Sequence, residues 1–182
     1  MNIYSIALFL HIVGALALFA TLALEWVGLL KIRNAASSEQ VRIWLGVLYG
    51  ASKAGFPSML ATVVTGIYMM VVVWGQASWL VTTVGALVLM IVLARAAAPR
   101  VKVLGKSSGA VNDLLLLVSV QTRSAIALGI IFLKVAKPGW IGSFLTLGVA
   151  VVLGIVSALL ISRYQVPSQA ISTEQLDFSN ER

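Results

Sequence analysis

Five long apolar stretches, joined by connectors that are alternately basic and nearly uncharged, constrain this chain more than any other feature. A spanning helix takes roughly 20 apolar residues. The stretches lie at about Ile3–Trp26, Phe56–Trp74, Trp79–Ala97, Leu114–Val135 and Trp140–Ile161. Hydrophobic residues make up 60% of the chain and charged residues 10%. A water-soluble domain cannot hide that much apolar surface, whereas lipid solvates it. A β-barrel would need short segments alternating apolar and polar residues, and Leu145–Leu160 shows no alternation. The expected fold is an all-α transmembrane bundle of five spanning helices over residues 1–163. Residues 164–182 are expected to be a polar, mostly disordered cytoplasmic tail.

The formal charge of +7 does not mark a nucleic-acid binder, because of where the charge sits. Lys31, Arg33, Arg42 and Lys53 lie between the first two stretches, and Arg95 stands at the end of the third with Arg100, Lys102 and Lys106 between it and the fourth. Gly75–Ser78 carries no charge, and the last connector holds Lys137 with Lys134 just before it. Basic residues gather in loops that stay in the cytoplasm. The pattern predicts an N-terminus outside, a C-terminus in the cytoplasm, and a multi-pass protein of the bacterial inner membrane. Anionic inner-leaflet lipids are then the expected partners of the basic loops. Trp74, Trp79 and Trp140 would mark the outer boundary, since tryptophan favours the headgroup level.

Met1–Ala7 holds no lysine or arginine and the apolar run continues past Leu22, so the N-terminus reads as a retained span, not a cleaved signal. The absence of cysteine removes disulfides, thiolate catalysis and cysteine-ligated metal. Val41–Gly50 is too short to cross and reads either as an interfacial helix or as an extension of the second span. Pro57 is expected in the first turn of its helix, which accepts proline. Pro99–Gly109 reads as a basic connector and Lys137-Pro138-Gly139 as a tight turn. Ala150, Gly154 and Ala158 recur every four residues on the fifth helix, a stripe that lets helices approach closely. It could serve packing within the bundle or a homodimer.

Ionisable groups inside the bilayer are costly and mark candidate sites. His11, the single histidine, lies eight residues into the first span and could ligate a haem or metal, relay protons or hydrogen-bond a neighbouring helix. One histidine cannot supply both axial positions of a haem, so the other would be filled by a methionine (Met59, Met69, Met70 or Met90), by a second chain, or by nothing. Arg123 sits mid-span and requires a partner or a wet cavity. It could share a polar pocket with His11, or bond groups such as Thr62, Thr65 or Tyr68. Glu25 is expected to pair with Lys53 or Arg95, and Asp113 and Gln121 to belong to the inner end of the fourth span. No catalytic constellation and no metal-ligand spacing appears, so a non-enzymatic role is the leading reading.

Leu10-His11-Ile12-Val13-Gly14-Ala15, Pro57-Ser58 followed by Thr65-Gly66-Ile67-Tyr68, and Arg123–Leu133 ending at Lys137-Pro138 resemble a family of small bacterial integral membrane proteins of unknown function. More distantly, the histidine early in the first span is similar to the entry helix of HemJ-type protoporphyrinogen oxidases and CopD-type copper-resistance domains. That resemblance implies haem b or copper at His11, with Arg123 facing a propionate or an anionic substrate.

Overall fold

The computed structural model describes residues 2–35, 37–75, 77–104 and 113–164. The tail expected over residues 164–182 therefore lies outside the described residues, apart from Tyr164 at the end of the last helix. Every regular element among the described residues is helical: α1 (Ile3–Arg33), α2 (Ser38–Met69), α3 (Ser78–Leu104), α4 (Leu114–Ala136) and α5 (Trp140–Tyr164). All five are long and apolar enough to cross a membrane. Their outward faces are apolar as well, with Ile141 87% exposed and Leu145 66%. Large exposed side chains of this kind require lipid as the solvent. This is the architecture of a multi-pass membrane protein.

The helices outrun the apolar stretches, and mostly at one end of the bundle. α1 holds 31 residues, about 46 Å at a rise of 1.5 Å per residue, against a hydrocarbon core of about 30 Å. Its last turn carries Lys31 and Arg33. α2 begins at Ser38, so Val41–Gly50 is its first part, continuous with the span. Ser37 caps this start by accepting a hydrogen bond from the Gln40 amide at 3.3 Å. Pro57 consequently stands in the helix interior and not in a first turn. Pro99 likewise lies inside α3 and not in a connector. Apolarity ends where water begins, but a helix needs only its own backbone bonds and continues into water.

α2 closes with a π-helical turn over Met70–Trp74, sealed by the Gly75 amide on the Met70 carbonyl at 2.8 Å. Gly75 then takes φ +63°, a value that suits glycine and stops the helix. At the α4–α5 turn Lys137 adopts the left-handed conformation (φ 45°, ψ 51°). Ser78 donates to the Pro138 carbonyl at 3.0 Å, which joins the two turns. Trp79 and Trp140 stand in the first turns of α3 and α5 at this same end. We refer to it as the tryptophan end and to the opposite one as the basic end.

Helices α1 to α4 form a ring in which each packs on the next and α4 closes on α1, while α5 lies outside against α3 and α4. The buried seam of α1 runs Ala7, His11, Gly14, Leu18, Thr21, Glu25, Gly28 and Ile32. The steps alternate between four and three residues, the spacing of a left-handed helix pair. Three polar residues thus lie on the packing seam itself. On α5 the stripe of Ala150, Gly154 and Ala158 is buried, Ala158 completely. A Cβ added at Gly154 would stand 2.5 Å from the Thr122 Cα on α4. The stripe is therefore occupied within the chain, and a second copy would have to use another face.

Candidate functional site

Two cavities lie between α1, α2, α3 and α4, one toward each end. Leu18 and Met90 line both and mark where they meet. His11 belongs to the cavity at the tryptophan end and Arg123 to the one at the basic end. The shared pocket expected from the sequence is thus two separate polar centres. The reason is register: Arg123 and Lys134 are eleven positions apart on α4, about 17 Å of rise and nearly the same face. His11 and Glu25, fourteen apart on α1, also share a face. The two helices run antiparallel, so Glu25 meets Arg123 and His11 meets Lys134.

At the basic end, Arg123 donates to the Glu25 carboxylate and, through Nε, to the Ser119 carbonyl at 3.3 Å. Ser52 donates to the other Glu25 oxygen at 3.0 Å. Glu25 and Arg123 are both buried, and a buried charge requires such pairing. The partners expected from sequence are otherwise placed. Arg95 lies over the Phe56 ring at 5.8 Å and Lys53 is exposed. Asp113 caps α4 through the Leu115 and Leu116 amides at 3.1 and 3.2 Å and pairs with Arg100. Gln121 donates to Ser157 on α5 at 3.0 Å. The cavity here measures about 290 Å³, and both of its buried charges satisfy each other.

At the tryptophan end the imidazole of His11 is held on both sides. Nδ1 lies 2.9 Å from the Thr62 carbonyl and 3.2 Å from the Thr65 hydroxyl. The Thr65 hydroxyl already donates to the Ala61 carbonyl at 2.6 Å, so both neighbours of Nδ1 are acceptors. Nδ1 must carry the proton, which leaves Nε2 as an acceptor. Lys134 Nζ stands 2.6 Å from Nε2 and donates to it. Thr62 and Thr65, two of the groups that Arg123 could have bonded, hold His11 instead. Gly66 makes the room, since a Cβ there would come within 3.1 Å of the imidazole Cε1.

Lys134 is the residue that sequence reasoning missed. In the sequence it stands beside the loop charge Lys137, where a lysine serves to orient the helices. The signal available was its spacing from Arg123, which puts two cations on one face of a single span.

The sequence matches no family model, no curated protein and no solved structure. The site must be read from its own chemistry. A haem iron needs a ring nitrogen with a free lone pair directed at an open position. Here Nδ1 donates to α2 and the Nε2 lone pair receives Lys134, so the residues do not fit an axial haem position. Among the described residues there is also no group of three or more histidine, cysteine or acidic side chains that could hold a metal ion.

What the arrangement can do is bind. The cavity beside His11 measures about 620 Å³, within the range of small-molecule sites. Its walls are mostly apolar, including Phe19, Leu87 and Ile130, and its polar groups sit together at the tryptophan end. Leu8, Ile12, Leu16 and Ile131 form part of its lining and are exposed.

Proposed function

We propose that this protein is a non-enzymatic, multi-pass protein of a bacterial inner membrane that takes a small amphipathic molecule into the cavity lined by α1, α2, α3 and α4 at the tryptophan end. The observation that carries this reading is the cavity of about 620 Å³ with apolar walls and a Lys134–His11 pair at one end. Such a combination fixes the orientation of a largely apolar ligand by a few polar contacts. The exposed apolar residues of the lining would give a membrane-dissolved molecule a lateral entry route.

The orientation that supports this reading places the tryptophan end outside and the basic end in the cytoplasm. Lys31, Arg33, Arg42, Arg100 and Arg163 all favour retention of the basic end against Lys134 and Lys137 at the other.

Native mass spectrometry of the detergent-purified protein tests the function. The wild-type chain should retain a non-covalent adduct of small-molecule mass, and Val84→Trp, which fills the cavity from α3, should lose it. Identical spectra for the two proteins would contradict the proposal.

A further inference from the structure

We infer that the ligand of the cavity at the tryptophan end is a single-chain monoanion, a long-chain carboxylate, whose head group is held by Lys134. The inference rests on the reading of that cavity as a ligand site and names what it takes.

Charge balance is the first argument. Three carboxylates occur among the described residues: Glu25, Glu39 and Asp113. Glu25 is engaged by Arg123 and Asp113 by Arg100. Glu39 stands in the first turn of α2, at the basic end. The residues lining the cavity beside His11 thus include Lys134 and no acid. The smaller cavity shows the contrast, since there an arginine and a glutamate neutralise each other inside the bundle. An ammonium at the edge of the hydrocarbon core is costly without an anion or water to face it.

Donor count is the second. An ammonium has three N–H donors. Lys134 gives one to His11 Nε2, and His11 can do no more than accept it, because Nδ1–H is turned to Thr62 and Thr65. The histidine thus aims the lysine without neutralising it. A carboxylate oxygen is the acceptor that would complete a charge-assisted bond to the remaining donors.

Position and volume supply the tail. Lys134 lies in the last turn of α4, at the end where Lys137 sits 6.0 Å from the Trp79 ring. A head group held there is at the level of the membrane boundary. From it the cavity runs inward along Phe19 and Leu87 to Leu18 and Met90. A volume of about 620 Å³ is that of one drug-sized molecule, which suits one acyl chain.

The test uses the full chain in vesicles of zwitterionic lipid, with electron paramagnetic resonance reporting the motionally restricted fraction of a spin-labelled probe. The probes are spin-labelled stearate, at a pH that ionises it, the matching stearyl alcohol, and spin-labelled phosphatidylglycerol. The expected result is about a tenfold or greater preference for stearate over the alcohol, abolished in Lys134→Met and kept in Lys134→Arg. Because the probe comparison is made on the wild-type protein, it stands even where a variant fails to fold. Equal association of stearate and alcohol, both reduced by Val84→Trp, would overturn the carboxylate while leaving the cavity as a ligand site. A preference for phosphatidylglycerol would overturn the single-chain ligand. Restriction unaffected by Val84→Trp for every probe would overturn the cavity reading as well.

Discussion

Arg123 on α4 and Glu25 on α1, 98 positions apart in the chain, form a buried ion pair that ties the first helix of the bundle to the fourth. The same two helices meet again at His11 and Lys134, three to four helical turns nearer the tryptophan end on one face of each. These two contacts set the register of α1 against α4, and the register in turn sets what each cavity presents to a ligand.

Removing one member of the ion pair leaves the other charged and buried, which costs roughly 3–5 kcal/mol. Arg123→Leu and Glu25→Leu should each lower stability by about that amount in reversible unfolding from detergent micelles. The double variant should recover most of the loss, since an apolar pair of similar volume is often neutral. Additive losses in the double variant would show that the two residues act independently.

The contact between α4 and α5 depends on Gly154. Its missing Cβ would lie 2.5 Å from the Thr122 backbone, and backbone cannot yield as a side-chain tip can. Gly154→Ala should destabilise by roughly 1–3 kcal/mol, the usual cost of overpacking. Gly148→Ala, on the same helix but with nothing within 4 Å of its Cβ position, should leave stability unchanged or slightly raised. Thermal unfolding of the two variants side by side makes the comparison.

His11 is expected in a single neutral tautomer protonated at Nδ1. Nitrogen-15 spectra of histidine-labelled protein should show one protonated and one unprotonated ring nitrogen, and Lys134→Met should move chiefly the Nε2 resonance. Protein purified from haem-replete cells should show no haem absorbance bands in a reduced-minus-oxidised spectrum. Near-stoichiometric haem that disappears in His11→Ala would require a different arrangement of Lys134.

The chain has no cysteine, so single cysteines report topology without background. In cells expressing Gly139→Cys, a membrane-impermeant maleimide should react from outside. Glu39→Cys, exposed at the start of α2, should react only after the membrane is opened. The reverse pattern would invert the orientation proposed from the basic residues.

The five helices were legible because each carries an apolar run of spanning length, a signal that lipid itself imposes. Their ends were not. Apolarity changes near Arg33, Pro57 and Pro99, which suggests loops or helix boundaries there, yet the backbone of α1, α2 and α3 is helical at all three. The two prolines show that a helix interior tolerates proline where its lost bond is borne locally.

The candidate site was legible by half. His11, Glu25 and Arg123 stand out because burying them in lipid is costly, and that cost depends on sequence alone. Their partners depend on which helices touch and at what depth. Several bases could have reached Glu25 by level, and only the α1–α4 contact selects Arg123. Lys134 near a helix end looked like a topology determinant, and nothing local distinguishes it from Lys137. Its fixed angle to Arg123 becomes informative once α1 is known to lie opposite.

The most direct test of the ligand cavity is photolabelling in membranes with a single-chain lipid carrying a diazirine near its end, followed by peptide mapping. The account predicts labelled residues on the cavity walls, at Thr83, Val84, Leu87 and Ile130, competed by unlabelled stearate, over a uniform background on the outer face of α5. Label confined to outward positions such as Leu145 and Val152, with none on the cavity walls, would contradict it.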